Sequence, residues 1–322
     1  MRITRRHFAL GAGFAGATGL IAAPSVARAQ AWPSKEINII LAVAPGSSAD
    51  SMARAVAKVM SRELKVPVQI KNVLGGAGLT GFSELGASKA DGHTIGVVNV
   101  GGLLVFPHIM KVPYTWDSFA LLGTVAEAFY GLGVAANSPI RTVDDLIAAG
   151  KTRRVTYAAS AIMNGIALVQ LGNATGAKFQ FVATNTQAEA VAQAVGGHVD
   201  VVVQTPPDLV PLIEGKQLRL LAGASSSRWP NYPDVKTLKD LGYDAATIVP
   251  LGFACPSAVP QDIRTRLEQA IGIAAKDPEV LEVLKTLMIQ PLALSGKAFN
   301  DALKAQAPLV EAALVAANMK KN

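Results

Sequence analysis

The sequence holds a single cysteine, Cys255, among its 322 residues, so no disulfide can form within the chain. Its neighbours, Gly252-Phe253-Ala254-Cys255-Pro256, are mostly apolar, which suits a small buried hydrophobe better than a reactive thiol. Histidine is scarce as well. Beyond the first thirty residues only His93, His108 and His198 remain, scattered and without ligand spacing, so no metal is expected and each should be a surface or loop residue. Neither a G-x-S-x-G elbow nor an H-E-x-x-H pair occurs, which removes two hydrolase signatures and leaves no catalytic residue to nominate. No run of lysines and arginines interleaved with aromatics appears, so a nucleic-acid partner has no footing. The mild apolar run Ala9 to Ala23 falls short of the roughly 20 residues that a membrane-spanning helix needs.

That run has a different use. It follows Thr4-Arg5-Arg6-His7-Phe8 and leads to Ala27-Arg28-Ala29, a small-x-small pattern of the kind a signal peptidase reads. The paired arginines resemble a twin-arginine export signal, with Ala9 where that signal usually has leucine. Residues 1–29 are therefore expected to be an export segment cut near Ala29, leaving an exported chain of 293 residues. The segment takes four arginines and no acids with it, so the formal charge of +7 drops to +3. A slight positive balance is compatible with an anionic ligand. A chain of this size buries about 75% of its unfolded surface and usually forms two domains.

Along the remainder, short apolar runs alternate with amphipathic stretches, the pattern of mostly parallel sheets flanked by helices. Strands are expected at Glu36–Val43, Val66–Lys71 and Thr94–Asn99, with helices at Ala49–Leu64 and Leu79–Lys89 between them. Two apolar runs follow, Phe119–Ala126 and Tyr130–Ala135. A second alternating set occupies Thr142 to Gly223, with Asp144 and Asp145 favouring the positive end of its first helix and Thr205-Pro206 opening a later one. After a strand at Thr247–Ala254, helices at Pro260–Ala275, Pro278–Leu287 and Ser295–Ala317 need a sheet to cover, and the first set supplies it. The chain thus divides into a discontinuous first lobe, 30–130 with 253–322, and an inserted second lobe, 131–252. Two crossings, near Ala126–Gly133 and Thr247–Gly252, make a hinge.

The candidate site follows from how helices begin. A helix start leaves unpaired N–H groups and a partial positive charge, a ready place for an anion. Three loops fit: Gly46-Ser47-Ser48, Gly75-Gly76-Ala77-Gly78, and Ser160-Ala161 through Asn164 to Gly165. Glycine lets a ligand oxygen approach the backbone, and the serines add hydroxyl donors. Loops after parallel strands share one edge of a sheet, so they converge on one crevice. Asn99, Asn185, Thr186, Gln204 and Thr205 also sit at expected strand ends. An acid in an anion site repels its ligand, so Asp50 is expected to brace its loop instead.

These residues also resemble a family. Ala44-Pro45-Gly46-Ser47-Ser48-Ala49-Asp50, Asn72 with Gly75-Gly76-Ala77-Gly78, and Ala90-Asp91-Gly92-His93-Thr94 are similar, in that order, to motifs of the periplasmic receptors of tripartite tricarboxylate transporters, the Bug-type receptors. Pro113-Tyr114 with Trp116-Asp117-Ser118-Phe119, Tyr157-Ala158-Ala159-Ser160, Gly196-Gly197-His198-Val199-Asp200 and Pro233-Asp234-Val235 continue the series across nearly the whole exported chain. The resemblance implies a type II Venus-flytrap fold of two lobes. It also implies one carboxylate held through backbone N–H groups, hydroxyls and water, and delivery by a monomer to membrane permease subunits, with no cofactor. Three departures stand out. Val182-Ala183-Thr184-Asn185-Thr186 replaces the usual Val-Pro-Tyr-Lys-Gly, Ser160-Ala161-Ile162-Met163-Asn164 replaces a serine-rich loop, and Ser47-Ser48 replaces paired glycines. Ile162 and Met163 suggest a ligand with an apolar body beyond its carboxylate.

Two other classes compete with transport. A sensory binding protein would use the same pocket and present its bound form to a signalling receptor. A nucleotide-dependent enzyme would use Gly76-Ala77-Gly78-Leu79-Thr80-Gly81, which fits G-x-G-x-x-G. That fingerprint wants an acid about 20 residues on, and Asn99-Val100-Gly101-Gly102 provides none.

Overall fold

The computed structural model describes residues 32–317 and 319; the expected export segment lies outside them. From Pro33 onward the chain forms one compact unit. It begins with β1 (Ile37–Leu41), α1 (Ser48–Leu64), β2 (Val68–Asn72), α2 (Leu79–Ala87) and β3 (Thr94–Val98). A π-helical turn at Gly101–Val105 and the short α3 (Phe106–Ile109) lead to β4 (Phe119–Glu127). The second lobe contains β5 (Gly131–Ala135), α4 (Val143–Thr152), β6 (Val155–Ala159), α5 (Ile166–Thr175) and β7 (Phe179–Ala183). It continues through α6 (Gln187–Val195), β8 (Val201–Gln204), α7 (Pro206–Glu214) and β9 (Leu218–Gly223). The chain then returns through β10 (Pro250–Pro256), α8 (Gln261–Ala274), α9 (Pro278–Thr286), β11 (Gln290–Pro291) and α10 (Gly296–Ala316).

The result is a two-lobed α/β architecture with a six-stranded sheet, β11-β4-β10-β3-β1-β2, and a five-stranded one, β7-β6-β8-β5-β9. Only part of each sheet is parallel. β1 pairs in parallel with β2 and β3, and β6 with β7 and β8, as βαβ units require. The crossing strands run the other way: β10 is antiparallel to β3 and β4, and β5 to β8 and β9. Each sheet is therefore mixed, because a chain that leaves a lobe and comes back must reverse. β10 pairs with β4 from Pro250, three residues before the boundary expected at Phe253.

Local chemistry explains most elements. Met52, Val56, Val59 and Met60 recur at helical spacing on α1 and are fully buried, worth about 1.5–3 kcal/mol each as an upper bound. Thr142 and Asp145 close a capping box on α4, and Ser295 caps α10. The helices α8 and α10 both pack on β4, as the need for a covering sheet suggested. Along β8 the period of two is explicit: Val201 and Val203 join the core under α4 and α5, while Val202 joins the core under α6 and α7. Cys255 is buried, and burial pushes its thiol up to about 12. His93 lies in the loop before β3, as expected, but is buried there, its Nε2 accepting from the Ser34 N–H at 3.2 Å.

Candidate functional site

Topology fixes where the loops lie. β4 ends at Glu127, the chain crosses, and β5 begins at Gly131, which is paired with Gln204 at the end of β8. The ends of β1, β2 and β3 thus share the edge of their sheet that meets the second lobe. The ends of β6, β7 and β8 share the opposing edge. The Ala128 N–H donates to the Val249 carbonyl at 3.2 Å, tying the two crossings together.

At the first-lobe edge, Ser47 caps α1, its Oγ accepting from the Asp50 N–H at 3.2 Å. Asp50 is buried and accepts from four groups: Gly46 N–H at 2.9 Å, Arg54 Nε at 2.8 Å, Arg54 Nη2 at 3.0 Å and Asn72 Nδ2 at 3.0 Å. The Arg54 hydrogen bonds, helped by Gly46 and Asn72 against the cost of burial, hold its carboxyl at about 2. Asn72 also donates to the Val43 carbonyl at 3.0 Å, so strand end and helix start are locked to each other. Asp50 is the expected brace. The next loop forms a 3-10 turn at Gly76–Gly78 leading into α2; Gly75 and Gly78, with φ of 127° and 107°, adopt backbone that favours glycine. Asn99 accepts from the Gly102 N–H at 3.0 Å and so caps the π-helical turn.

At the second-lobe edge, Ser160 and Ala161 precede a 3-10 turn at Ile162–Gly165, which feeds α5. The turn is anchored from outside, since the Asn164 carbonyl accepts from Thr247 Oγ1 at 2.8 Å. Asn185 and Thr186 are exposed and occupied with capping: Asn185 donates twice to Glu189, and Thr186 Oγ1 accepts from the Glu189 N–H at 3.1 Å. Thr205 donates to Asp208 at 2.6 Å. Gln204 differs from these. It is fully buried, and neither its amide oxygen nor its amide nitrogen has a hydrogen-bond partner. A buried amide with neither group bonded is uncommon and makes Gln204 a candidate for a binding role.

Register adds a residue that sequence reasoning missed. Ala158 lies opposite Val202, and Ala159 opposite Ala183. Continued past the strand ends, the pattern sets Ser160 between Thr184 and Gln204, all on the face shared by α6 and α7. Thr184 was noted only as a departure from a motif; strand register, which one sequence does not give, is what brings it in.

Two structural findings change the expected picture. First, Ile162 and Met163 are buried together with Phe82, Leu103, Leu104 and Leu303 of the first lobe. They close one flank of the gap between the lobes, so they no longer argue for an apolar ligand body. Second, the helix starts fall into two groups. The first turns of α1, α6 and α7 carry Asp50, Glu189 and Asp208. Those of α2 and α5, and the 3-10 turns that lead into them, carry no acid. An acid in the first turn already satisfies the partial positive charge there, so only the second group keeps it for a ligand. Among the described residues no group of three His, Cys, Asp or Glu side chains is placed to hold a metal, and no helix is long and apolar enough to cross a membrane.

Known proteins have the same fold. A TctC solute-binding protein from Polaromonas, solved without ligand, superimposes with a TM-score of 0.77 at 20% identity, covering 88% of this chain and 99% of that one. An R. palustris protein solved with adipate gives 0.69 at 22% identity, over 89% and 98% of the two chains. In sequence, the UPF0065 protein in the gbd 5' region of Cupriavidus necator is 29% identical over 309 residues, 92% of each chain. The family model of the tripartite tricarboxylate transporter receptors matches residues 52–313, which is most of the chain. Two mixed sheets joined by a double crossing, loops gathered on facing edges, and this match over both lobes lead to one conclusion: the chain belongs to the tripartite tricarboxylate transporter receptor family.

Proposed function

We propose that this receptor captures a small organic carboxylate between its lobes and hands it to the membrane permease subunits of a tripartite transporter, performing no chemistry on it. The lobes are residues 30–130 with 253–322 and residues 131–252, Pro250–Gly252 pairing with the first sheet. The working protein is a periplasmic monomer, released by cleavage near Ala29.

The observation that carries this reading is the pair of acid-free helix starts on opposing edges. N–H groups at the start of a helical turn have no acceptor within it, which applies to Gly76 and Ala77 on one side and to Ile162 and Met163 on the other. A carboxylate between them meets donors from both lobes, and the apolar flank formed by Ile162, Met163 and Phe82 keeps water away, which strengthens each contact. Gly78, Ser160 and Ala161 shape this corner. Gln204 and Ser160 offer amide and hydroxyl groups to the rest of the ligand, and Thr184, whose hydroxyl donates to the Thr186 carbonyl at 3.1 Å, offers an acceptor, with Thr205 and Asn164 at the ends of the row. Gly46, Ser47, Ser48, Asn99, Asn185 and Thr186 line the remaining rim. The adipate held by the R. palustris protein is of the expected class.

A thermal-shift panel of aliphatic and aromatic carboxylates, with nicotinamide dinucleotides beside them, tests the proposal. A carboxylate at 100 times its dissociation constant adds about 2.7 kcal/mol of stability. Stabilisation by dinucleotides alone turns the assignment toward a nucleotide enzyme.

A further inference from the structure

A cavity of about 150 Å³ lies on the far side of the crossings from the crevice. Phe129 lines it from the crossing, Pro206, Val210 and Trp229 from the second lobe, and Leu281 and Met288 from the first. Its position follows from the sheets. β11 is the edge strand beyond β4, with Gln290 paired to Glu127 and Pro291 to Ala126, away from β1, β2 and β3, whose loops form the crevice. In the second lobe, Trp229 Nε1 donates to the Tyr130 carbonyl at 3.1 Å, which holds the indole against the crossing itself. Met288 reaches the cavity from a left-handed backbone position, φ 52°, and Asn231 Nδ2 donates to its sulfur at 3.4 Å, a contact between the lobes. The walls are almost wholly apolar; the ammonium of Lys285 and the amide of Asn231 are the polar side chains among them.

We propose that this cavity is a second binding site, for a neutral apolar molecule of about the size of benzene, and that its occupant favours closure of the crevice. Size and lining set the ligand class. Apolar walls around about 150 Å³ suit a molecule of the size of benzene and offer water few polar partners, and the mouth opens to solvent between the exposed Asn231, Lys285 and Pro291. Coupling follows from leverage. The crossings lie between crevice and cavity, so opening the crevice brings Trp229 and Val210 toward Leu281 and Met288. A guest between those walls resists that motion, and by reciprocity a carboxylate in the crevice tightens the guest. The second half of this inference rests on the carboxylate reading; the first half does not.

The test uses the purified protein with benzene and xenon as probes and adipate as the carboxylate. Benzene alone is expected to raise the melting temperature by a few degrees. Xenon under pressure should appear in crystals between Trp229 and Leu281. Benzene should also lower the adipate dissociation constant about fivefold. Val210→Phe, which fills the space, should abolish the benzene shift while tightening adipate. Met288→Phe serves the same purpose from the other lobe if the first variant does not fold. No benzene shift in the unmodified protein, or xenon found only elsewhere, overturns the site. A benzene shift that persists in the filled variants overturns its location, and unchanged adipate affinity overturns the coupling. A protein that takes benzene but none of the carboxylates overturns the receptor reading and leaves the cavity standing.

Discussion

The helix starts of α2 and α5 and those of α1, α6 and α7 border the same crevice, yet their chemistry is opposite. The starts of α1, α6 and α7 are self-satisfied: Asp50 is locked by Arg54, Glu189 by Asn185 and the Thr186 cap, and Asp208 accepts from Thr205. The starts of α2 and α5 have Gly78 and Asn164, neither of them charged, where acids stand in the others, so their N–H groups and partial charge remain available. A loop can therefore look like an anion site in sequence and be closed to anions by a carboxylate three residues further on. Ser47 and Ser160 illustrate the point. Both are serines just ahead of a helical turn, but Ser47 spends its oxygen on capping α1.

Mutations that reverse this difference should have effects in a definite order. Ser160→Trp places an indole where the donors of both lobes meet, and should weaken carboxylate binding about 100-fold, roughly 2.7 kcal/mol by calorimetric titration. Ser47→Trp, on the self-satisfied side, should weaken it less; equal losses would erase the distinction. Ala161→Asp gives the exposed α5 side an acid of its own, and should cost about tenfold in affinity without loss of melting temperature, since an acid there also favours the helix start.

Asp50→Asn leaves the ligand contacts in place and should reduce stability by about 1 kcal/mol in chemical denaturation. The pH dependence has a fixed sign. The Asp50 carboxyl lies at about 2 in the folded protein, below its ordinary value, so its contribution is present above pH ~4 and is lost as pH falls toward 2. The gap between wild type and variant should close over that interval; a gap that widens there contradicts the brace. The smallest effect is expected from Asp208→Asn, which keeps an acceptor for Thr205 and removes one charge from the α7 start, tightening binding about twofold.

Much of the fold was legible because it is written in periodicity. Met52, Val56, Val59 and Met60 announce α1, and the alternation of apolar runs with helices announces two sheets and a double crossing. What was not legible depends on partners distant in sequence. β11 is only two residues long and exists because β4 offers it an edge. Gly102 reads as an ordinary loop glycine, but any side chain there would collide with the ring of Phe82. Ile162 and Met163 read as pocket residues, yet in three dimensions they meet Leu303 and Phe82 and join the lobes. The site was legible as a set of loops. Its division into available and self-satisfied helix starts needed the hydrogen bonds.

A crystal structure of the protein with adipate tests the central claim most directly. The account predicts one carboxylate within hydrogen-bonding distance of backbone N–H groups from both Gly76–Ala77 and Ile162–Met163, with the remainder of the ligand reaching toward Ser160 and Gln204. A carboxylate seated instead on the starts of α1, α6 or α7, or bound by one lobe alone, would contradict it.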